Sequence, residues 1–352
     1  MPAPAAEREA PKDTQQALQA DATAAAAAAG SKKDDAAKTD EYSKTMQQTM
    51  GTALTYRHEL GMNFAHVLPD LIVGSCLQKP ADVDRLVEEE NVGAIICLQQ
   101  DPDLAYFSLD LGAIQRRCAE RKDVEHIRSP IRDFDPFDLR MCLPDAVQTV
   151  HEAFERCKGK TVYIHCTAGL GRAPGVALAY MHWLRGFTLA EANARLQEVR
   201  PCHPKLESIR AATCDVISGG SKEPVTIVWR SGGVPKTVEV AGLDVGWGGR
   251  LQLERKDGRW ILERLLPAGR YQYKFIVDGH WTYNPDSPLT RPDNMGNVNN
   301  FVQVVGDSTR SEAWLLRERL IKEEPTEEDR QILLEKLFAK DRRRNEPCHV
   351  CP

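Results

Sequence analysis

The chain has 352 residues, 28% charged and 42% hydrophobic, enough for one medium domain, a smaller partner and tails. A net charge of −5 and a pI of about 6.0 exclude the basic face that a nucleic-acid partner demands, and no apolar run is long enough to span a membrane. Ten cysteines scattered over this length do not make a secreted disulfide framework, so a reducing compartment is expected.

Residues 1–44 are polar and Ala-rich, with an alanine run from Ala24 to Ala29 and mixed charges from Lys32 to Asp40, and are expected to be disordered. A plastid transit peptide is rich in serine and arginine and poor in acids; Glu7, Glu9, Asp13 and Asp21 do not fit that composition.

From Tyr56 to Val216 strand and helix patterns alternate. Strands are predicted at Leu71–Val73, Val92–Leu98, Val124–Ile127 and Thr161–Ile164, and helices at Ala81–Glu90, Leu109–Arg121, Leu143–Cys157, Gly175–Arg185 and Leu189–Val199. This predicts an α/β domain over 45–218, a central mostly parallel sheet flanked by helices, with chemistry at the carboxyl ends of the strands. Cys97 ends one of these strands. If that strand lies parallel beside Val162–His165, Cys97 and Cys166 reach one sheet edge and a redox disulfide becomes geometrically possible; a buried, inert Cys97 is the alternative.

The strand at 161–164 runs into His165-Cys166-Thr167-Ala168-Gly169-Leu170-Gly171-Arg172, and an apolar helix with Pro174 in its first turn follows. A cysteine at a helix N-terminus beside a guanidinium has its thiolate form favoured. Gly169 and Gly171 permit a tight loop whose N–H groups from Thr167 to Arg172 cradle phosphoryl oxygens, and Arg172 adds a planar fork matched to two of them. A P-loop fails because no Gly-Lys-Ser/Thr closes the run, and a dinucleotide fingerprint lacks its third glycine. Cysteinyl-phosphate chemistry also needs an acid for the leaving oxygen. The loop Arg132-Asp133-Phe134-Asp135-Pro136-Phe137-Asp138 offers Asp133, Asp135 and Asp138, and spacing does not choose among them.

The segment His165 to Met181 resembles the dual-specificity phosphatase signature, in the version carried by plant and algal phosphoglucan phosphatases of the starch-excess-four type. Similarity extends from about Tyr42 to the C-terminal helix, through Thr55 to Asn63, Cys97 to Asp101 and Arg132 to Asp135. The resemblance implies that Cys166 is the nucleophile, Arg172 the phosphate clamp and Asp133 the general acid. It also implies that Tyr56, Tyr106, Phe107 and Phe134 lay a glucan chain against the active site, glucose C–H faces packing on the rings. Tyr106 and Phe107 follow Asp101-Pro102-Asp103, a turn-rich stretch expected at the surface. At His203 the relatives tend to carry an aromatic ring, a departure that leaves the preferred glucosyl phosphate position open. The resemblance implies a plastid location.

After Ser218-Gly219-Gly220-Ser221 the pattern changes to short strands near Val225–Trp229, Lys236–Val240, Trp260–Leu262, Gln272–Val277 and Phe301–Val305, predicting a small antiparallel β-sandwich over 219–306. Trp229 and Trp260 fall in strands and are read as structural. Trp247 and Trp281 fall in glycine-bearing loops where an indole is left exposed. The region resembles a family 48 starch- and glycogen-binding module, and the resemblance assigns glucan contact to Trp247, Lys274, Trp281 and Asn300. From Ser311 a C-terminal helical segment, 311–343, opens a helix after Pro325-Thr326 and is expected to pack back on the domains. Cys348, His349 and Cys351 lack a nearby second ligand pair, Cys202 and His203 being distant, so no metal is expected.

These readings predict a monomeric phosphoric monoester hydrolase with no cofactor, acting on starch or a related α-glucan, with no nucleic-acid or membrane partner. A protein phosphatase carried to starch by its module is the alternative, and a noncatalytic starch-binding scaffold is disfavoured by the retained Cys, Arg and Asp.

Overall fold

The most apolar strands take the most enclosed places. In this computed structural model, which describes residues 36–219, 222–230, 235–292, 296–305 and 312–344, every residue of β3 (Val92–Cys97) and β5 (Thr161–His165) is buried. They join β1 (Phe64–Leu68), β2 (Leu71–Gly74) and β4 (Glu125–Arg128) in one sheet of order β1-β2-β5-β3-β4. All neighbours are parallel except β1, which returns antiparallel along β2. Side-chain alternation sends Val162 and Ile164 to one core and Tyr163 to another.

Helices cover both faces. α5 (Pro136–Arg156), α6 (Arg172–Leu184), α7 (Leu189–Val199) and α8 (Leu206–Ser218) build the larger core, and α2 (Pro80–Glu90) with α4 (Leu111–Arg121) builds the smaller one. Every residue of α6 from Arg172 to Trp183 is buried, as expected of a helix apolar on all sides.

Three local expectations need correction. Residues 36–50 form a helix, α1, so the stretch from 36 to 44 is ordered; the rest of the N-terminal segment lies outside the described residues. Its buried residues Thr39, Tyr42's neighbour Ser43 and Met46 recur at helical spacing. Asp101–Tyr106 is a short helix, α3, because Gln100 and Asp103 form a reciprocal cap and Pro102 suits its first turn. α5 starts at Pro136, not near Leu143, because Asp135 caps it by accepting from the N–H groups of Phe137 and Asp138. Pro144 lies inside that helix without ending it.

The second part is all antiparallel: β6 (Lys222–Trp229), β10 (Arg259–Pro267) and β9 (Glu254–Lys256) in one sheet, facing β12 (His280–Thr282), β11 (Gly269–Val277), β7 (Val238–Gly242), β8 (Leu251–Gln252) and β13 (Asn300–Val304). Their core includes Phe137 from α5. Arg140 of the same helix ties the two parts together: it forks onto Asp215 at 2.6 and 2.7 Å and also donates to the Tyr271 hydroxyl and the Ala268 carbonyl, both at 3.0 Å. The tail, α9 (Glu312–Lys322) and α10 (Glu327–Arg344), puts Leu320, Leu333 and Leu337 into the larger core of the α/β part. No helix among the described residues is long and apolar enough to cross a membrane.

Candidate active site

The loop between β5 and α6 is held from outside by its own carbonyls. Thr167 O accepts from Cys76 N at 3.0 Å, Leu170 O from His203 N at 2.7 Å, and Arg200 donates to Gly169 O at 2.7 Å and Ala168 O at 3.0 Å. In a trans peptide the N–H points opposite to the C=O, so the amides of residues 168 to 171 face the other way, into the loop's interior. Gly169 is needed for this path: its φ is +67°, and a Cβ there would collide with the Gly74 carbonyl. Cys166, 3% exposed, lies at the base of this cradle.

Arg172 opens α6 and is 4% exposed. Its Nη1 meets Asp103 Oδ2 at 2.6 Å and Ile131 O at 3.0 Å, and its Nη2 meets Asp133 Oδ2 at 2.9 Å and Thr167 Oγ1 at 3.2 Å. Burial works against the charge, but Asp133, Cys166 and Asp103 together hold the guanidinium well above its ordinary pKa. Nε is buried and has no partner among the described residues, leaving one donor for an incoming oxygen.

Of the three acids left open by sequence, Asp133 alone reaches this guanidinium among the described ion pairs. Asp135 is occupied as the α5 cap and pairs with Arg132 at 2.7 Å, while Asp138 accepts from Arg132 N at 2.6 Å. Asp133 Oδ2 also accepts the Tyr42 hydroxyl at 2.7 Å.

Tyr42, from α1, is the residue sequence reasoning missed. Its ring lies 5.9 Å from Tyr56, 6.3 Å from Tyr106, 5.7 Å from Phe107 and 5.5 Å from Phe134. The four expected channel rings therefore converge on it. Two of them are not open surface: Tyr56 is 2% and Phe107 4% exposed, because α1 covers them, whereas Tyr106 and Phe134 are half-buried. The surface expected for Phe107 is corrected accordingly. The signal for α1 lay in Tyr42, Met46 and Met50, three apolar residues four apart. His203, where the relatives tend to carry a ring, borders the same loop through its backbone bond to Leu170.

Cys97 and Cys166 are both free thiols. Cys97 pairs in register with His165, one residue before Cys166, and burial pushes its thiol up to about 11. A third buried thiol, Cys76, bonds the Tyr56 hydroxyl at 3.5 Å and is pushed up to about 12 by burial.

In the β-sandwich, Trp281 on β12 is 48% exposed and Trp247 in the β7–β8 loop is half-buried. Arg250 joins them, its guanidinium 4.6 Å above the Trp281 ring and donating to Trp247 O at 3.0 Å. Lys274 on β11 is half-buried. Asn300 departs from its expected place at a sugar: it is fully buried, its Oδ1 accepting from Asn284 N and its Nδ2 donating to Asn284 O, both at 2.8 Å. Those bonds hold the 284–288 loop onto β13 and leave the side chain inside the module.

Residues 88–210 match the family described as dual specificity phosphatase, catalytic domain, and residues 223–310 match the glycogen recognition site of AMP-activated protein kinase. The chain is 49% identical over 290 residues to the amyloplastic phosphoglucan phosphatase DSP4 of Castanea sativa, covering 82% of this chain and 76% of that one. It is 32% identical over 277 residues to the chloroplastic phosphoglucan phosphatase LSF1 of Arabidopsis thaliana, covering 76% of this chain and 46% of that longer one. Over 81 residues it is 38% identical to the 5'-AMP-activated protein kinase subunit beta-1 of Sus scrofa, covering 23% of this chain and 63% of that one. With a cysteine and arginine on an amide-lined loop, an aspartate beside them and a sandwich that matches a glycogen recognition site on the same chain, this protein belongs to the phosphoglucan phosphatases.

Proposed function

We propose that the enzyme hydrolyses phosphomonoesters on starch or a similar α-glucan, supporting starch breakdown, with Cys166 as nucleophile. The Cys166 thiolate attacks phosphorus; the loop amides and Arg172 hold the three phosphoryl oxygens; Asp133 gives its proton to the departing sugar oxygen. A water, deprotonated by Asp133, then cleaves the cysteinyl phosphate and releases inorganic phosphate. The observation that carries this reading is the 2.9 Å approach of Asp133 to Arg172 at the mouth of an amide-lined loop based on Cys166.

Trp281, Trp247 and Lys274, with Arg250 over the Trp281 ring and bonded to the Trp247 carbonyl, form the surface on which the module holds glucan, rings against C–H faces and polar groups at the hydroxyl rim. Tyr106 and Phe134 extend this path at the active site. The change of sheet type supports a boundary near 218–219, with the module over 219–306, and the packing of α1 on the first core moves the start of the first domain from 45 to about 36. The amyloplastic and chloroplastic names of the relatives support a plastid location. Cys97 serves as resolving thiol for Cys166 under oxidation.

A direct comparison of initial rates on phosphorylated amylopectin and on phosphopeptides tests the substrate. The enzyme should prefer amylopectin; preference for the peptides would assign it instead to protein phosphatases targeted to starch.

A further inference from the structure

Three side chains meet at the ends of the central strands, and the mechanism uses none of them. His126 lies opposite Ile95 and Cys97 lies opposite His165, so strand alternation puts Cys97, His126 and His165 on one face of the sheet. The Cys97 sulfur and one ring nitrogen of each histidine lie within 4.8 Å of one another. His165 is 3% exposed, Cys97 is fully buried and His126 is half-buried.

The donor inventory is left open there. His165 turns Nδ1 to Cys166 O at 3.3 Å, which leaves Nε2, and that atom is buried with no hydrogen-bond partner. His126 Nδ1 is buried and unpartnered as well, and Cys97 Sγ has only a 3.9 Å contact with Gln99 Oε1. Two orphaned imidazole nitrogens beside one thiol are uncommon in a folded interior unless something fills the space between them. A tetrahedral zinc, at about 2.0 Å from nitrogen and about 2.3 Å from sulfur, sets its ligand atoms about 3.3 to 3.6 Å apart, so small rotamer shifts close the triangle. Sulfur with imidazole selects a soft or borderline metal over magnesium or calcium. The nearby guanidiniums are already balanced, Arg128 by Asp101 at 2.7 Å and Arg172 by Asp103 and Asp133.

We propose that Cys97, His126 and His165 form a three-ligand site for a thiophilic divalent cation of the zinc class, at the strand ends behind the phosphate loop. Binding breaks the Cys97 S–H bond, forms an S–metal bond and releases one proton to solvent, with no change of oxidation state. It clamps the residue that precedes the nucleophile, so occupancy slows turnover reversibly, and it blocks Cys97 as a disulfide partner. The sequence expectation of a metal-free chain missed this site because its ligands come from three strands.

Cobalt titration of the full-length reduced protein tests the proposal, since thiolate coordination gives a sulfur-to-cobalt charge-transfer band. Wild type and Cys166→Ser should both show the band at one equivalent, Cys97→Ser should lose it, and His126→Asn should bind at least about tenfold more weakly, all with unchanged near-UV dichroism. Zinc should slow the wild type, chelation should restore it, and His126→Asn should need at least about tenfold more zinc. Absence of the band, or a band lost in Cys166→Ser and kept in Cys97→Ser, would overturn the site. Identical zinc inhibition of wild type and His126→Asn would overturn its control of turnover.

Discussion

Arg172 Nη2 sits 2.9 Å from Asp133 Oδ2, so the proposed phosphate clamp and the proposed general acid touch each other directly. Asp103 holds the other arm of the same guanidinium at 2.6 Å. On the proposed mechanism an incoming phosphoryl group exchanges with Asp133 for Nη2 and takes the unpartnered Nε, while Asp103 keeps the fork in place. Asp103→Asn should therefore lower kcat/KM by about tenfold, a loss of ~1.4 kcal/mol, because a charge-assisted bond that orients the clamp is replaced by a neutral one. Steady-state kinetics, with a parallel rise in the inhibition constant for inorganic phosphate, check this.

Tyr42 donates to the same Asp133 oxygen, Oδ2, that meets Arg172. Tyr42→Phe keeps the ring among Tyr56, Tyr106, Phe107 and Phe134 but removes the 2.7 Å bond to Asp133 Oδ2. Activity on sugar phosphates, whose poor leaving group needs the proton, should fall by about three- to tenfold. Activity on an aryl phosphate with a good leaving group should change less. Equal losses on both would assign Tyr42 to packing alone.

Two residues of the module separate binding from stability. Trp281 is half exposed, so Trp281→Ala should leave the melting temperature nearly unchanged and weaken binding to soluble glucan by about five- to thirtyfold, ~1 to 2 kcal/mol. Asn300 is fully enclosed, and Asn300→Ala leaves Asn284 N and O without partners. That change should cost about 1 to 3 kcal/mol of module stability in denaturant unfolding. Any binding loss it causes should track the unfolded fraction.

How far the sequence reveals the site depends on how local each feature is. Cys166, Arg172 and the loop glycines fall within one seven-residue run, so the cradle they build is readable from spacing. Asp133 could not be separated from Asp135 and Asp138 because the choice is made by a helix start: Asp135 becomes the α5 cap, and only the fold shows that. α1 was hidden for another reason. Its alanine-rich neighbourhood reads as disorder, and its helix is stabilised by long-range packing of Tyr42 and Met46 on the phosphatase core rather than by its own composition. The two- and three-residue strands β8, β9 and β12 carry too little periodicity to read. Asn300 was assigned by resemblance, and a buried asparagine whose partners lie 12 to 16 residues away gives no local sign of its burial.

Stability should fall in mild acid, partly through His182. This side chain is 3% exposed, and burial pushes its imidazole below 6.5, outweighing the backbone bond to Phe187 O and the nearby Glu324. Between that lowered value and 6.5 the unfolded chain carries a proton that the folded chain does not, so stability rises with pH across the window and is lost as pH falls below 6.5. Denaturant unfolding at pH 7.5 and pH 5 should show the drop, and His182→Gln should make the slope shallower.

The central claim is that one sulfur takes the phosphoryl group from glucan. Phosphate monoesters hydrolyse so slowly unaided that background is negligible. Phosphate release from phosphorylated starch, measured side by side for the wild type and Cys166→Ser at equal glucan binding, should fall to background in the variant. Release at the wild-type rate by Cys166→Ser would contradict the account.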